Sequence, residues 1–445
     1  MPKLELYKWQ ADAYKSWEEN DYCGVIEAVT GSGKTRIAHE AILNHLELNY
    51  NILIIVPSID LQKQWHRDIL DILGVLKNKY IINIVGGGKK DINPSWNLLI
   101  TVVNSMTYKE VFPGKNGLII ADECHHYGAP IFSKALKSDF SRRLGLTATF
   151  ERDDNGIREY LLPYFNKICF SLTYKEAIEQ NIIAHFKVAF IGIDLNDFEL
   201  NDYEFFNRNC KEEKYELINA GVTSNPFGVF MKEVATIGKG NRPEGSLILI
   251  NDELINHARN FLYNFSQRRM LLANIKNKFN CLHILTECIK NAERTIIFSQ
   301  TKESAEKATE LLKVNGINSE VLNSSMKKWE RNEVFSDFET GETEAVAAPI
   351  LLDEGINVPS ADLAIILASS RSRRQMIQRM GRVLRKKSDN RLARMVVFYG
   401  IGTSEDPNTG AHEDFLDSII NVASETRIFH YTEEENIINY VNTYF

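Results

Sequence analysis

Short, largely apolar runs alternate with longer stretches of helical period along most of the chain. The first set comprises GVIEA at 24–28, NILIIV at 51–56, LLIT at 98–101, LIIA at 118–121 and RLGLTA at 143–148. Four to six residues with little polar interruption suit a strand buried on both faces. Helical patterns such as 61–73 lie between them. A second set begins with TIIF at 295–298, continues through an amphipathic stretch at 303–313, and adds runs at 345–348, 363–367 and 395–399. Strand and helix in alternation predict parallel sheets covered by helices. The expected fold class is therefore α/β, with two similar parallel-sheet domains over 1–180 and 281–445. The stretch between them, 181–280, reads differently. It holds a strand-like VAFIGIDL at 188–195, then long polar, aromatic-rich helical segments, and is expected to be a mainly helical insertion or connector.

Composition narrows the class. At 445 residues and 44% hydrophobic content the chain suits a globular protein of two or three domains. No apolar run is long enough to span a membrane, and MPKLELYKWQ at the start has no signal-like apolar region. The six cysteines form no CxxC, so neither a zinc site nor a disulfide framework is indicated. A cytoplasmic location, in a prokaryotic or phage-infected cell, is the expectation. The net charge of −7 argues against nucleic acid only if the basic residues are dispersed. They cluster in SSRSRRQMIQRMGRVLRKK, 369–387, where Arg373 and Arg374 are candidates for phosphate contacts.

Three segments carry phosphate chemistry. AVTGSGKT, 28–35, fits a P-loop with Ala28 in place of the first glycine. Backbone N–H groups of Thr30, Gly31, Ser32 and Gly33 would wrap a β-phosphate, Lys34 would reach the β- and γ-phosphates, and Thr35 would bind Mg²⁺. LIIADECHH, 118–126, supplies an acidic pair after a strand. Asp122 is the candidate Mg²⁺ ligand and Glu123 the candidate group for polarising an attacking water. QMIQRMGRVLR, 375–385, holds Gln378, Arg382 and Arg385. Arg382 and Arg385 share a helix face and can stabilise charge on a γ-phosphate. ATP and Mg²⁺ are the implied cofactors.

Together these segments resemble the superfamily 2 helicases and translocases. LYKWQ at 6–10 looks like the adenine-recognising Q motif with Gln10 as its glutamine. VPSIDLQKQW at 56–65, VVNSM at 102–106, TAT at 147–149, IIFSQT at 296–301 and LLDEGINVP at 351–359 follow in the family's order. The finer likeness is to XPB-type helicases, type III restriction motor subunits and UvsW-like branch-migration helicases. It is carried by LTATFERDD at 146–154, LTYKEAIEQNIIAHF at 172–186 and DEGINVP followed by RRQMIQRMGRVLR. The resemblance implies two RecA-like domains that bind ATP between them and grip nucleic acid, usually DNA. It assigns nucleic-acid contacts to Pro57, Ser58, Asn104, Ser105, Ser299 and Thr301, and nucleotide contacts to Gly355 and Asn357.

The chain departs from the pattern at several points. Tyr7 and Lys8 stand where relatives carry Arg-Pro, and Tyr7 is a candidate to stack on adenine. Cys124 replaces the usual alanine of the DEAH-type motif and is a candidate for oxidation. Asn357 replaces a frequent Asp. GGGKK at 86–90 is not a P-loop, since no helix start follows; it reads as a surface turn or a hairpin tip touching DNA. In FLYNFSQRRM, 261–270, Phe261, Leu262 and Phe265 have helical spacing and are expected in a core. The expected function is an ATP-dependent DNA helicase or translocase that remodels or unwinds branched or duplex DNA in recombination, replication or repair. Nuclease or replication and recombination proteins are candidate partners, and no membrane is expected. An RNA helicase and an ATP-gated nucleic-acid clamp that recruits a partner remain alternatives.

Overall fold

The computed structural model describes residues 4–443 except 90, 115, 153, 324, 350–360, 369–391 and 410–421. The chain divides into two compact units, with the break after Ile183.

The first unit is a seven-stranded sheet with every pairing parallel. Its strands are β1 (Cys23–Ala28), β2 (Asn51–Val56), β3 (Ile82–Val85), β4 (Leu98–Val102), β5 (Gly117–Asp122), β6 (Arg142–Thr147) and β7 (Ile168–Leu172). They lie in the order β3-β4-β2-β5-β6-β1-β7. The central strands read as unbroken apolar runs because helices cover both faces. Those helices are α1 (Lys8–Glu19), α2 (Thr35–Glu47), α3 (Ile59–Leu73), the short α4 (Val103–Met106) and α5 (Leu162–Phe165), and α6 (Tyr174–Glu179). In α2, Ile37, Ala38, Ala41 and Ile42 recur at helical spacing and are fully buried.

The second unit repeats this plan. Its strands are β8 (Phe186–Ile193), β9 (Thr295–Ser299), β10 (Ser319–Val321), β11 (Ala345–Pro349), β12 (Leu363–Ile366), β13 (Ala393–Gly400) and β14 (Glu425–His430). The order β10-β11-β9-β12-β13-β8-β14 matches the first sheet strand for strand, with β8 in the place of β1. The helices are α7 (Asp197–Asn219), α8 (Phe227–Gly238), α9 (Asp252–Ala273), α10 (Lys276–Ile284), α11 (Thr286–Lys290), α12 (Lys302–Val314), α13 (Lys328–Thr340) and α14 (Glu434–Asn442).

This corrects the expected connector over 181–280. VAFIGIDL is part of β8, a central strand of the second sheet paired with both β13 and β14. All eight residues of β8 are buried, as a two-sided strand requires; Asp194 and Leu195 lie beyond its end. At the other end of the stretch, Leu272 and Ile275 join the second sheet's core. The helical excursion is thus α7–α9, inserted between the first and second strands of the second domain. It has its own apolar core of Leu217, Phe230, Val234, Ile237 and Phe261, among others. Phe261 is buried there, with Leu262 and Phe265 packed against it, as their spacing implied. The base of the insertion is tied to the loop after β13 by Ser404 N–H donating to Tyr203 Oη at 2.7 Å, and Lys278 of α10, paired with Glu405 at 2.7 Å, donates to Leu272 O of α9 at 2.8 Å.

Candidate nucleotide and nucleic-acid site

The phosphate loop leaves the end of β1 and enters α2. Gly31 and Gly33 take φ of 82° and 91°, a region that side chains resist. Among the described residues no acceptor faces the backbone N–H groups of Gly33, Lys34 and Thr35. These are orphan donors at a helix N-terminus, the arrangement that holds a phosphate. Ser32 is buried and donates to Val29 O at 2.7 Å, which shapes the loop. Lys34 Nζ folds back onto Ala28 O at 2.7 Å. Burial lowers its pKa, and the nearby carboxylates of Glu123, Asp122 and Glu27 oppose that fall. A γ-phosphate would supply the anionic partner this ammonium has only at a distance.

Gln10 anchors the loop from the side. It is fully buried; Oε1 accepts from Tyr7 N at 2.9 Å and Nε2 donates to Gly33 O at 3.1 Å. One amide proton and one lone pair remain for a base. Tyr7 is the N-cap residue just before α1 and is 68% exposed, open to stacking. Tyr174 Oη lies 3.5 Å from Thr30 Oγ1, so the LTYKEAIEQ segment also touches the loop.

Asp122 ends β5, two strands from β1 across β6. That offset is about 10 Å. Its carboxylate accepts from Trp65 Nε1 at 2.8 Å and from Glu123 N at 3.0 Å. Burial raises its pKa, while the Trp65 bond and Lys34 favour the charged form. Glu123 takes left-handed φ/ψ of 48° and 51°, a costly conformation for a residue with a Cβ. Its Oε2 lies 3.5 Å from Nδ1 of the buried His125. His125 Nδ1 also meets Thr147 Oγ1 at 2.9 Å, which in turn donates to Thr149 O at 2.8 Å. The DECH and TAT segments therefore form one hydrogen-bonded unit. Arg152 extends it, donating to His125 O at 2.5 Å and pairing with Asp154 at 2.6 Å. The Thr35 hydroxyl and the Asp122 carboxylate are hard oxygen donors of the kind Mg²⁺ takes alongside water and phosphate. Cys124 is fully buried beside Gly145, and burial pushes its thiol pKa up. A buried, protonated thiol is inert, so the expected susceptibility to oxidation is corrected.

The nucleic-acid candidates of the first unit lie along the same carboxyl edge of the sheet. Pro57 and Ser58 follow β2, and the Ser58 hydroxyl caps α3 by accepting from Leu61 N at 3.3 Å. Asn104 and Ser105 follow β4 on α4, with Asn104 exposed. Gly86–Lys89 closes a tight turn at the end of β3, with Gly87 and Gly88 both at positive φ. A Cβ on Gly86 would meet Val102 at 2.9 Å and Ile59 at 3.3 Å, which sets this turn against the starts of α3 and α4. Within GGGKK, Gly86–Lys89 thus forms a hairpin-like tip beside the candidate phosphate track.

In the second unit the outcome is mixed. Thr301 caps α12, its Oγ1 accepting from Ser304 N at 3.0 Å. Ser299 is fully buried and its hydroxyl donates to Thr301 O at 3.1 Å. It shapes the turn and presents no group to a ligand, which corrects its expected contact role. Oriented with its oxygen toward α9, the Gln300 amide accepts from Arg269 Nε at 2.7 Å. The end of the insertion is therefore fastened to the IIFSQT segment. Gly355, Asn357, Arg373, Arg374, Gln378, Arg382 and Arg385 lie outside the described residues.

Sequence reasoning missed two groups. Trp65 was noted only as the end of a motif, yet it holds Asp122. Glu27 lies within the strand-like GVIEA with no role assigned to it, yet its carboxylate accepts from Phe150 N at 2.7 Å and so ties β1 to the TAT loop.

Residues 3–152 match the family described as "Type III restriction enzyme, res subunit", and residues 277–387 match "Helicase conserved C-terminal domain". The chain is similar to DNA 3'-5' translocase XPB2 of Sulfurisphaera tokodaii, with 29% identity over 407 residues, 89% of this chain and 82% of that protein. It is similar to DNA 3'-5' helicase XPB of Mycobacterium tuberculosis, with 23% identity over 404 residues, 88% of this chain and 60% of that one. The fold resembles that of Saccharomyces cerevisiae Dbp5 bound to RNA and ADP BeF3, with a TM-score of 0.60 at 14% identity, covering 98% and 93% of the two chains. With both helicase domains matched in order around an intact phosphate loop and DECH segment, this chain belongs to the superfamily 2 helicases and translocases, in the group of the XPB-type enzymes, and is an ATP-hydrolysing enzyme.

Proposed function

We propose that this protein uses ATP hydrolysis, with Mg²⁺, to move along DNA and to remodel or unwind branched or duplex structures such as forks and junctions. Recombination, replication or repair is the setting this implies, with nuclease or replication and recombination proteins as partners in a prokaryotic or phage-infected cytoplasm. One observation carries the reading. The candidate ATP groups at the ends of β1 and β5 and the candidate phosphate contacts at the ends of β2 and β4 share the carboxyl edge of one rigid sheet, where ligands of open parallel sheets bind.

In this reading Gly31, Gly33, Lys34 and Thr35 hold the phosphates, and Thr35 with Asp122 holds Mg²⁺. The metal would screen the phosphate charge, and Glu123 would accept the proton of the attacking water. Gln378, Arg382 and Arg385 would stabilise the γ-phosphate charge, and Gly355 and Asn357 would contact the nucleotide. Tyr7 and Gln10 would take the adenine. Pro57, Ser58, Asn104, Ser105, Thr301, Arg373 and Arg374, with Lys89 on the hairpin tip, would meet backbone phosphates, which carry no sequence information. Little sequence specificity follows.

The test is ATP turnover by the protein and by Lys34→Ala on single-stranded DNA, blunt duplex, a fork, a four-way junction and structured RNA. Stimulation that is greatest on fork or junction, and absent in the variant, supports the reading. Stimulation by RNA alone replaces the substrate. Turnover on DNA without strand displacement leaves a translocase or clamp.

A further inference from the structure

Trp65 Nε1 donates to Asp122 Oδ2 at 2.8 Å, with both residues buried. The indole has one donor, and this bond uses it. Its ring also meets His39 of α2 edge-on at 5.4 Å. One side chain thus touches the helix that begins at Thr35 and the carboxylate of Asp122, the two candidate ligands of Mg²⁺.

Trp65 belongs to α3, the helix that Ser58 caps. It lies seven residues from Ser58, about 10 Å along the axis. Between them, fully spent Gln62 Nε2 donates to Val85 O at 2.8 Å and Ile100 O at 2.9 Å. Gln62, Trp65 and Ile69 fall on one face at helical spacing, and all are buried. The helix is therefore clamped to β3 and β4 near its start and to Asp122 near its middle. Close-packed elements of this kind move as units and pass displacement on. At its N-terminus are Pro57 and Ser58, the candidate phosphate contacts.

We infer that Trp65 is a positioning residue that links nucleic-acid contact at the start of α3 to the placement of the Asp122 carboxylate. A phosphate bound at Ser58 biases α3, and the indole N–H carries that bias to Oδ2. This rests on the nucleotide and DNA reading above. Donors that orient a metal-binding carboxylate are typically worth on the order of ten- to a hundred-fold in metal affinity or activity.

The experiment compares Trp65→Phe with wild type. The first readout is the Mg²⁺ concentration that half-saturates tight binding of a fluorescent ADP analogue. The second is the ratio of ATP turnover with and without duplex DNA. We expect the variant to need about ten-fold or more Mg²⁺, to bind nucleotide in EDTA like wild type, to bind DNA alone like wild type, and to lose most of the DNA stimulation. An unchanged Mg²⁺ requirement together with unchanged stimulation overturns the inference and reduces Trp65 to packing. Should Trp65→Phe fail to fold, the benzothiophene analogue of the residue, with sulfur in place of N–H, keeps the shape and answers the same question. Absence of DNA stimulation in wild type would instead overturn the proposed function, and the Mg²⁺ titration would still report on the Trp65–Asp122 bond.

Discussion

His125 and Thr147 join through a 2.9 Å hydrogen bond between the imidazole Nδ1 and the hydroxyl, both fully buried. The bond fastens the residue two places after Glu123 to the last residue of β6. Thr147→Val keeps the shape and removes the hydroxyl. We expect ATP binding to persist and strand displacement to fall more than ATP turnover. The bonds to His125 and Thr149 are both lost, at about 1 kcal/mol each in stability. Parallel measurement of turnover and of displacement on a forked duplex checks this; equal loss in both would mean the link serves hydrolysis alone.

Lys34 is the cation inside the loop. Lys34→Ala should lower ATP turnover on the order of 100-fold or more, because a fixed donor to transition-state charge is removed. DNA binding without nucleotide should stay at the wild-type level, since Pro57, Ser58 and Asn104 are on other strand ends. Fluorescence anisotropy on duplex DNA separates the two effects.

Tyr7 and Gln10 divide the work of the adenine side. Tyr7→Ala should raise the KM for ATP about five-fold, the weaker end of base–aromatic stacking, with the melting temperature unchanged because the ring is exposed. Gln10→Ala should raise KM and also destabilise, because two hydrogen bonds within the fold disappear. Each is worth about 1 kcal/mol. Comparing ATP with other nucleoside triphosphates shows whether base preference is lost in both.

His45 makes the first domain acid-sensitive. Its Nδ1 lies 2.6 Å from Ala41 O and its Nε2 lies 2.7 Å from Arg142 Nη1, a setting that accepts only the neutral ring. Burial chiefly, with Arg142 adding to it against the opposing Ala41 bond, lowers its pKa from 6.5 to about 4. The unfolded chain takes up the proton first as pH falls. The contribution is therefore complete above pH 6.5 and is lost as pH drops toward 4. It amounts to about 3 kcal/mol. Urea titrations across that window should show the decline, and a flat profile would contradict it.

Phe261 packs edge-on to Phe230 at 5.1 Å in the insertion's own core. Phe261→Ala should cost about 3–5 kcal/mol locally. Hydrogen exchange should rise in α7–α9 while the strands of the second sheet stay protected, because the two cores are separate. Basal ATP turnover should persist.

Much of the site was legible in order along the chain. AVTGSGKT and DECH could be read because a phosphate loop and a metal-binding carboxylate need fixed residue types at short spacing. The strands were legible because burial on both faces leaves no room for polar residues. Edge strands such as β3, β7, β10 and β14 were not, since their half-buried or exposed positions admit polar residues that break the apolar run. VAFIGIDL was read as a strand but assigned to the connector, because local pattern does not say which sheet a strand joins.

The sequence by itself determined the chemistry of the phosphate loop, the acidic pair and the α/β class, all of which depend on neighbours within a few residues. Only the tertiary structure decided that β8 opens the second sheet, that Ser299 is spent inside its own turn, and that Trp65 holds Asp122 from 57 residues away. Strand order and side-chain partnership are set by packing between distant segments, and no local spacing encodes them.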